Sequence, residues 1–262
     1  MSDFQPEQGP PTPPTVVVED EQPAITEAST PKRTRAATPK WEVEARERVR
    51  SGIRRFSKPL GDLIERDANE GDTRMLVNRM LTDVLGYDEF GELTTEYAVK
   101  GEFADYGIRV DRDLVAFVEV KRVATKLGAK HLRQAQMYAV NEGVEWIILT
   151  NGADWRAYHL SAGLPVEIDL ALDINLVGDE PLGKKVDQLF YLTRESLKKK
   201  QLDEVWKARR ATSPKSLASV ITSPPVVEAA RRELRRQTGQ RVEADEIARL
   251  LRETVVRPEC ME

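Results

Sequence analysis

The stretch that carries the most structural information in this 262-residue chain is Leu114-Val-Ala-Phe-Val-Glu-Val-Lys121. In a β-strand alternate side chains share a face, so Glu119 and Lys121 lie together at the C-terminal end of an otherwise apolar strand. Burying a carboxylate and an ammonium there costs free energy unless something compensates for it. A divalent metal ion together with a phosphate would provide that compensation.

The segment before this strand supplies a second carboxylate. Asp105 lies in Phe103-Ala-Asp-Tyr-Gly-Ile108, and a turn near residues 110–113 folds this segment back onto the strand. Symmetric pairing about the turn predicts that Asp105 lies roughly opposite Glu119. Two neighbouring carboxylates form an oxygen site suited to Mg²⁺ or Mn²⁺, which activates water and neutralises charge on a phosphate. Lys121 is then placed to orient the water or to stabilise the developing negative charge.

Two predicted helices bring further polar side chains toward this strand end. Glu70 shares one helix face with the apolar residues Val77 and Leu81, so we expect it to point toward the sheet. Gln134 and Tyr138 form an i, i+4 pair on a later helix. Two simpler interpretations stay open: Glu70 as a first-turn carboxylate favoured by the helix dipole, and the Gln134–Tyr138 pair as part of an ordinary helix surface.

The order of predicted elements indicates a mixed α/β fold. Hydrophobic periodicity predicts helices over 41–60, 69–85 and 127–141, and strands over 94–100, 103–110, 114–121, 144–150 and 154–160. We expect Pro59 to interrupt or kink the first helix. The resulting order is α-β-β-β-α-β with an added hairpin strand, which predicts a central mixed sheet flanked by helices.

This combination resembles the PD-(D/E)XK nuclease superfamily. More closely, residues 65–160 resemble the N-terminal nuclease domain of type I restriction enzyme R-subunits and the stand-alone predicted type IV restriction endonucleases. The stretches that match are Asn69-Glu70, Glu96-Tyr97, Ala104-Asp-Tyr-Gly107, Val118-Glu-Val-Lys121, Gln134 to Tyr138, and Leu149-Thr-Asn-Gly152. Ala104 stands where the superfamily name has proline. The resemblance implies a restriction-endonuclease-like fold and Mg²⁺- or Mn²⁺-dependent hydrolysis of phosphodiester bonds.

The resemblance also implies roles for individual residues. Asp105, Glu119 and Lys121 would be catalytic, with Gln134 assisting. Metal ligands would come from Asp105, Glu119 and Glu70, and the auxiliary residue would be Tyr138. The helicase that follows this domain in R-subunits has no counterpart in the sequence. We therefore expect that processive restriction would need a partner: a second copy of the chain, or a separate motor or specificity subunit.

Charge and composition divide the chain into three predicted regions. Residues 1–40 are rich in proline, threonine, glutamate and alanine and are predicted to form a disordered tail. Residues 41–181 form the predicted nuclease-like domain, and residues 41–182 carry a net charge of −8. Residues 182–262 form a predicted basic helical region. There the cluster Arg231, Arg232, Arg235 and Arg236 fits a DNA phosphate contact and a subunit interface about equally well, and a solvated face is the interpretation that remains if neither holds.

Several protein classes are excluded by composition. One cysteine, Cys260, leaves no disulfide framework or cysteine-based zinc site, and two histidines are too few for a multi-histidine metal centre. No apolar run is long enough to span a bilayer, so we expect no membrane contact and a cytoplasmic location. The segment 178–185 resembles a phosphate-binding loop, but Lys185 stands where a Ser or Thr would hold Mg²⁺. We therefore expect that this segment does not bind ATP.

The function that these patterns favour is a Mg²⁺-dependent endonuclease acting on DNA, in restriction or defence against foreign DNA. One alternative is a non-catalytic nucleic-acid-binding or assembly protein built on a nuclease fold. Another is an RNA nuclease, because no feature of the sequence distinguishes a deoxyribose from a ribose substrate.

Overall fold

The computed structural model describes residues 37–161, 163 and 166–260 of the chain. The predicted disordered tail of residues 1–40 lies almost entirely outside these described residues. The part from Thr38 onward forms one compact unit. Among the helices of the described ranges, none combines the length and the apolar composition needed to cross a membrane.

A six-stranded sheet forms the centre of the fold, in the spatial order β1 to β6. All neighbouring strands are antiparallel except β3 and β4, which are parallel and joined by helix α3 (Ala129–Glu142). The strands are β1 Leu93–Val99, β2 Glu102–Val110, β3 Asp113–Val120, β4 Trp146–Thr150, β5 Asp154–Ser161 and β6 Glu167–Asn175. The predicted mixed α/β fold is confirmed, and β6 extends the sheet by one strand beyond those predicted.

Helix α1 extends from Lys40 to Glu65 without a break at Pro59, so the expected interruption is wrong. Proline in a helix interior removes one hydrogen bond and costs roughly 3 kcal/mol. Leu60 and Leu63, just beyond the proline, are buried in the core. Burying each leucine stabilises the fold by about 1.5–3 kcal/mol, which is enough to keep the last turn helical.

The two faces of the sheet are covered by different helices. One face packs against α1, α2 (Glu70–Asp83) and the helices that follow β6. The other face packs against α3 (Ala129–Glu142), where Phe117 of β3 contacts Tyr138 in an edge-to-face arrangement. Because side chains alternate along β3, Val118 and Val120 belong to the first core and Phe117 to the second.

The C-terminal part is helical, as predicted, but its members differ in how they pack. The helices are α4 Leu182–Leu189, α5 Arg194–Lys198, α6 Gln201–Ala211, α7 Pro214–Ile221, α8 Pro224–Thr238 and α9 Ala244–Leu250. Val186, Leu189 and Leu202 lie in the same core as the sheet, so packing does not separate residues on the two sides of the predicted 181/182 boundary. Helices α7–α9 pack mainly on one another.

Candidate functional site

Glu119 and Lys121 meet at the C-terminal end of β3, as the strand pattern predicts. Glu119 is 3% exposed, and its Oε1 accepts a hydrogen bond of 2.5 Å from the Lys121 ammonium. The other carboxylate oxygen, Oε2, is buried without a hydrogen-bond partner among the described residues. A buried oxygen of this kind is rare in proteins and leaves a strong acceptor available to a ligand.

Asp105 is brought beside Glu119 by the β2–β3 register. Tyr106 pairs with Val118, so the preceding residue of β2 lies next to the following residue of β3. Asp105 Oδ2 accepts a 2.7 Å hydrogen bond from the backbone N–H of Val120, which fixes the carboxylate against the strand end. Asp105 Oδ1 lies 3.0 Å from the Arg74 Nη2 of helix α2.

Helix α2 is tied to the same strand end. Thr73 donates a hydrogen bond to the Asn69 carbonyl at the start of its own helix and accepts one of 3.1 Å from the backbone N–H of Val123. The segment after Lys121 is thereby fixed to the first turn of α2. On the other side, the backbone N–H of Lys121 donates to the Thr150 carbonyl of β4 at 2.8 Å. These contacts position the site on secondary structure rather than on free loops.

The electrostatics of the site follow from burial. Burial raises the pKa of Glu119 from its ordinary value of 4.5 to about 7; the nearby Asp105 charge adds to this, and the Lys121 hydrogen bond opposes it. Burial also raises the pKa of Asp105, although the Val120 N–H and the Arg74 charge act in the other direction. For Lys121, burial alone would lower the pKa, but the hydrogen bond and charge of Glu119 raise it overall.

The residues fit a divalent cation only in part. Asp105 and Glu119 supply neighbouring oxygens, and the free Oε2 of Glu119 suits a hard cation. Glu70 stands at the first turn of α2, where its charge raises the pKa values of Asp105 and Glu119, but its side chain is half-exposed. Across the described ranges, no three His, Cys, Asp or Glu side chains converge into a ready-made metal cluster. A metal would therefore need two carboxylates and other oxygens.

Gln134 and Tyr138 do lie on the site side of α3. Gln134 Nε2 donates a 3.0 Å hydrogen bond to the Tyr138 hydroxyl. Burial raises the pKa of Tyr138, and the charge of Glu119 raises it further, which reflects their proximity. His131, for which the sequence predicts no role, accepts a 3.3 Å hydrogen bond from the Gly128 N–H at the start of the helix.

Sequence reasoning did not assign two charged residues that the structure brings to the site. One is Arg74, the ion-pair partner of Asp105, and the other is Glu96 of β1, which lies 3.7 Å from Arg74. The spacing of Arg74 from Glu70 by one helical turn was visible in the sequence. Its contact with Asp105 was not, because that contact depends on how α2 packs on the sheet.

The arginine cluster on α8 lies outside this site and is partly neutralised. Arg231 and Arg236 form ion pairs with Glu228 and Glu233, each three residues earlier on the same helix. The side chain of Arg232 donates a 3.4 Å hydrogen bond to a backbone carbonyl. For Arg235 the structure gives no ion pair among the described residues.

The segment that resembles a phosphate-binding loop has its lysines engaged elsewhere. The ammonium of Lys185 is buried and donates to the carbonyls of Leu176 and Gly178, at 2.8 and 2.6 Å. Lys184 forms an ion pair with Glu180 on the same turn. Both cations thus hold the connection between β6 and α4.

Comparison with known proteins gives a match to one family model, over a range of the chain that contains the site. Residues 69–166 match the family model for the type I restriction enzyme R protein N terminus. No curated protein and no solved structure gives a significant match. The matched range is somewhat over a third of the chain and includes Glu70, Asp105, Glu119, Lys121, Gln134 and Tyr138. The match supports a restriction-enzyme-like nuclease domain in this part of the chain and a role connected with DNA.

Proposed function

We propose that this protein is a Mg²⁺-dependent endonuclease that hydrolyses DNA phosphodiester bonds in restriction or defence against foreign DNA. The observation that carries the proposal is the buried Glu119 carboxylate, which has one oxygen without a hydrogen-bond partner among the described residues and stands between Asp105 and Lys121. This arrangement lies within the range that matches the restriction-enzyme family. A site without a function has no physical need for three partly desolvated charges at one strand end.

Each residue has a task in this proposal. Glu119 and Asp105 would hold the metal ion, with Glu70 at its periphery, and a bound Mg²⁺ or Mn²⁺ lowers the pKa of a water and neutralises phosphate charge. Lys121 stays protonated because its pKa is raised. Its ammonium donates to Glu119 in the resting protein and can donate to a phosphate oxygen or to the attacking water. The amide of Gln134 donates a hydrogen bond to the hydroxyl of Tyr138, and the Glu119 charge contributes to the raised pKa of that hydroxyl.

A basic surface next to the site supports a polyanionic substrate. Residues 120–141 contain no aspartate or glutamate, although residues 41–182 as a whole are acidic. Lys126, just before α3, and Lys130 and Arg133 in its first turns, which we together call the basic α3 face, are exposed and form no ion pair with other described residues. Burial, followed by the charges of Lys121 and Lys130, lowers the pKa of His131, which indicates that this face adjoins the site. Unpaired cations are available for phosphate contacts.

The partners follow from the same proposal. The R-subunit family works in multi-subunit complexes, so a separate motor or specificity subunit, or a second copy of the chain, would complete a restriction system. Such a complex would act in the cytoplasm. The sheet and its helices provide a candidate site for hydrolysis, whereas target selection would depend on the partner.

The direct test is cleavage of supercoiled plasmid by the full chain with Mg²⁺, with Mn²⁺ and with EDTA. We expect nicking only with metal, and its loss in Asp105→Asn, Glu119→Gln and Lys121→Ala. Asp113→Asn is a matched control, because it removes a carboxylate from the exposed, opposite end of the same strand. Undiminished nicking by a folded Glu119→Gln protein would refute the site assignment. Parallel reactions with duplex DNA and RNA separate a DNA nuclease from an RNA nuclease.

The non-catalytic alternative has its own expected outcome. A nucleic-acid-binding or assembly protein would bind duplex DNA without nicking it under any metal condition, and Glu119→Gln would leave that binding unchanged. Metal-dependent nicking that disappears in Glu119→Gln contradicts this alternative. The comparison requires thermal melts of each variant, so that loss of activity is not confused with loss of folding.

A further inference from the structure

Arg74 contacts more carboxylates at the site than any candidate residue named from the sequence. Its guanidinium nitrogens lie 3.0 Å from Asp105 Oδ1, 3.7 Å from Glu96 Oε1 and 3.9 Å from Glu70 Oε1. The Asp105 side chain is 11% exposed, whereas those of Glu70 and Glu96 are 44% and 73% exposed. The short contact in the less polar surroundings is the strongest of the three. Arg74 therefore serves mainly as the counter-ion of Asp105.

The backbone at Glu96 is unusual in a way that favours contact with Arg74. Glu96 lies in β1 between residues that pair regularly with β2, but it is itself absent from the pairing. Its φ angle is 49°, a left-handed conformation that costs a residue other than glycine roughly 1–2 kcal/mol. Strain of this kind at a charged residue is typical of functional positions. Here it leaves Glu96 out of the strand ladder, with its carboxylate near the guanidinium.

The guanidinium is not fully satisfied where it stands. Its Nε is buried without a hydrogen-bond partner among the described residues. An arginine that served only to hold the structure together would be expected to use its donors more completely. The position beside Asp105 thus combines one strong contact with one unmet donor, and two further carboxylates stand within about 4 Å of the same group.

Arg74 also forms its ion pair with the Asp105 oxygen that a metal ion would need. Asp105 Oδ2 is committed to the Val120 N–H, and Oδ1 is committed to Arg74. A divalent cation at Glu119 Oε2 would recruit Asp105 through Oδ1, and two cations on one carboxylate oxygen repel each other. Metal binding and the Arg74–Asp105 ion pair therefore compete.

We propose that Arg74 is a resident counter-ion that a divalent metal displaces from Asp105, and that Glu96 receives the displaced guanidinium. The inference rests on the proposed metal-dependent function. It assigns Arg74 a positioning role: the arginine holds the Asp105 carboxylate in place without metal, and it lowers the metal affinity of the free protein. Glu96 reduces that penalty by offering the arginine a second partner.

The test is a titration of the full chain with Mn²⁺ in the absence of nucleic acid. Binding is monitored through the electron paramagnetic resonance signal of the Mn²⁺ that remains free. Arg74→Met removes the competing cation and should tighten Mn²⁺ binding about tenfold relative to the unmodified chain. The affinity of Arg74→Lys should lie between those of the unmodified chain and Arg74→Met, because a compact ammonium reaches fewer carboxylates. The control is Arg122→Met, which removes an equal charge near Lys121 from an exposed ion pair with Asp67. We expect it to change affinity by less than about twofold.

A second pair of variants tests the receiving carboxylate. Glu96→Gln should weaken Mn²⁺ binding, because the displaced arginine loses a partner, and Glu102→Gln, an exposed carboxylate of the next strand, should weaken it less. In the unmodified protein, the nuclear magnetic resonance signal of the Arg74 Nε–H should shift when diamagnetic Mg²⁺ is added in place of Mn²⁺. The inference is overturned if Arg74→Met binds metal no tighter than Arg122→Met, or if a folded Arg74→Lys binds as the unmodified chain does.

The proposed function and the role of Arg74 can fail separately. If Glu119→Gln leaves Mn²⁺ binding unchanged, the metal does not use this site, and both proposals are wrong. If binding depends on Glu119 but not on Arg74, only the counter-ion inference is wrong. Thermal melts accompany each titration to show that the variants are folded.

Discussion

The carboxylate of Glu119 lies in the protein interior with a lysine on one oxygen and no hydrogen-bond partner from the described residues on the other. Burial removes water that would stabilise its charge, and the Lys121 ammonium restores only part of that stabilisation. The result is a group whose pKa is raised to about 7 despite its salt bridge. At the residue scale, the site is therefore a source of instability that a bound cation would relieve.

This instability predicts a pH-dependent gain of stability in Glu119→Gln, measured in EDTA. The folded-state pKa of about 7 lies above the ordinary 4.5, so the folded protein loses stability as pH rises between these values. Glutamine cannot ionise. We expect nearly equal stability near pH 4.5, and at pH 8 an advantage of about 3 kcal/mol for the variant, from urea denaturation.

Glu195 is the matched control with the opposite sign. Burial would raise its pKa, but the hydrogen bond and charge of Arg48 lower it overall. Its ionisation therefore contributes stability above its unfolded pKa, and that contribution is lost as pH falls through the folded value. Glu195→Gln should be less stable than the unmodified chain at pH 7. A pH-independent difference between Glu119→Gln and the unmodified chain would contradict the burial of an ionised carboxylate.

At the scale of single elements, two glycines of α1 distinguish the effect of helix propensity on stability from the effect of packing. A Cβ at Gly52 would stand 2.6 Å from both methyl carbons of Val84, whereas a Cβ at Gly61 would meet no atom within 4 Å. Gly52 therefore permits the close approach of α1 to the end of α2, and Gly61 only loosens the helix.

These two positions predict opposite effects of the same substitution. Gly61→Ala should stabilise the fold by about 0.5–1 kcal/mol, because alanine loses less conformational entropy in a helix. Gly52→Ala should destabilise it by roughly 1–3 kcal/mol through overpacking against Val84. Denaturant unfolding of both variants measures the difference. If Gly52→Ala proved neutral, the close approach of the two helices would be wrong.

Helices α3 and α8 offer a second comparison at this scale, because both present basic residues but differ in pairing. The basic α3 face has cations next to the site that pair with no described residue, while α8 pairs Arg231 and Arg236 with its own glutamates. An arginine that is already paired gains less from a phosphate, since the existing ion pair must be broken. We therefore expect α3, not α8, to contribute most of the phosphate contacts.

The corresponding test compares a triple alanine variant of the basic α3 face with a quadruple alanine variant of the α8 arginines. Binding of a short duplex is followed by fluorescence anisotropy in Ca²⁺ over a range of salt concentrations. The α3 variant should flatten the slope of log affinity against log salt by about 2–3, close to one per lost phosphate contact. The α8 variant should change the slope by less than about one. The reverse ranking would place the DNA on the C-terminal helices.

At the scale of the whole molecule, the C-terminal helices fall into two groups by burial. Val186, Leu189, Phe190, Leu192 and Leu202 are at most 1% exposed. All of them except Phe190 belong to the core beneath the sheet. Residues buried on α7–α9, such as Val227 and Ile247, belong to neither of the two main cores. The sheet thus depends on α4–α6 and only weakly on α7–α9.

Two truncations test this division. A chain ending at residue 181 loses five buried apolar side chains, each worth about 1.5–3 kcal/mol, which together match a typical total stability of roughly 5–15 kcal/mol. We expect it not to fold. A chain ending at residue 212 should keep a cooperative melt within a few degrees of the full chain. A folded chain ending at 181 would instead support an independent domain over 41–181.

Local sequence pattern determined much of this protein. The strand pattern of residues 114–121 placed Glu119 and Lys121 on one face, and the turn near residue 111 placed Asp105 beside them, because side-chain alternation and hairpin symmetry are properties of neighbouring residues. The order of elements from α2 to β5 followed for the same reason. Strand β6 was not among the predicted strands, although it also alternates apolar residues, at Ile168, Leu170, Leu172 and Ile174, a local pattern that would have been sufficient to predict it.

Tertiary packing decided the rest. It keeps α1 helical beyond Pro59, because Leu60 and Leu63 are buried in a core formed by segments distant in sequence. It brought Arg74 to Asp105, paired the arginines of α8 within their own helix and placed α4–α6 in the core of the sheet. These features depend on distances between segments far apart in sequence. Periodicity sets which face a side chain occupies, whereas only the packed elements set which charge it meets.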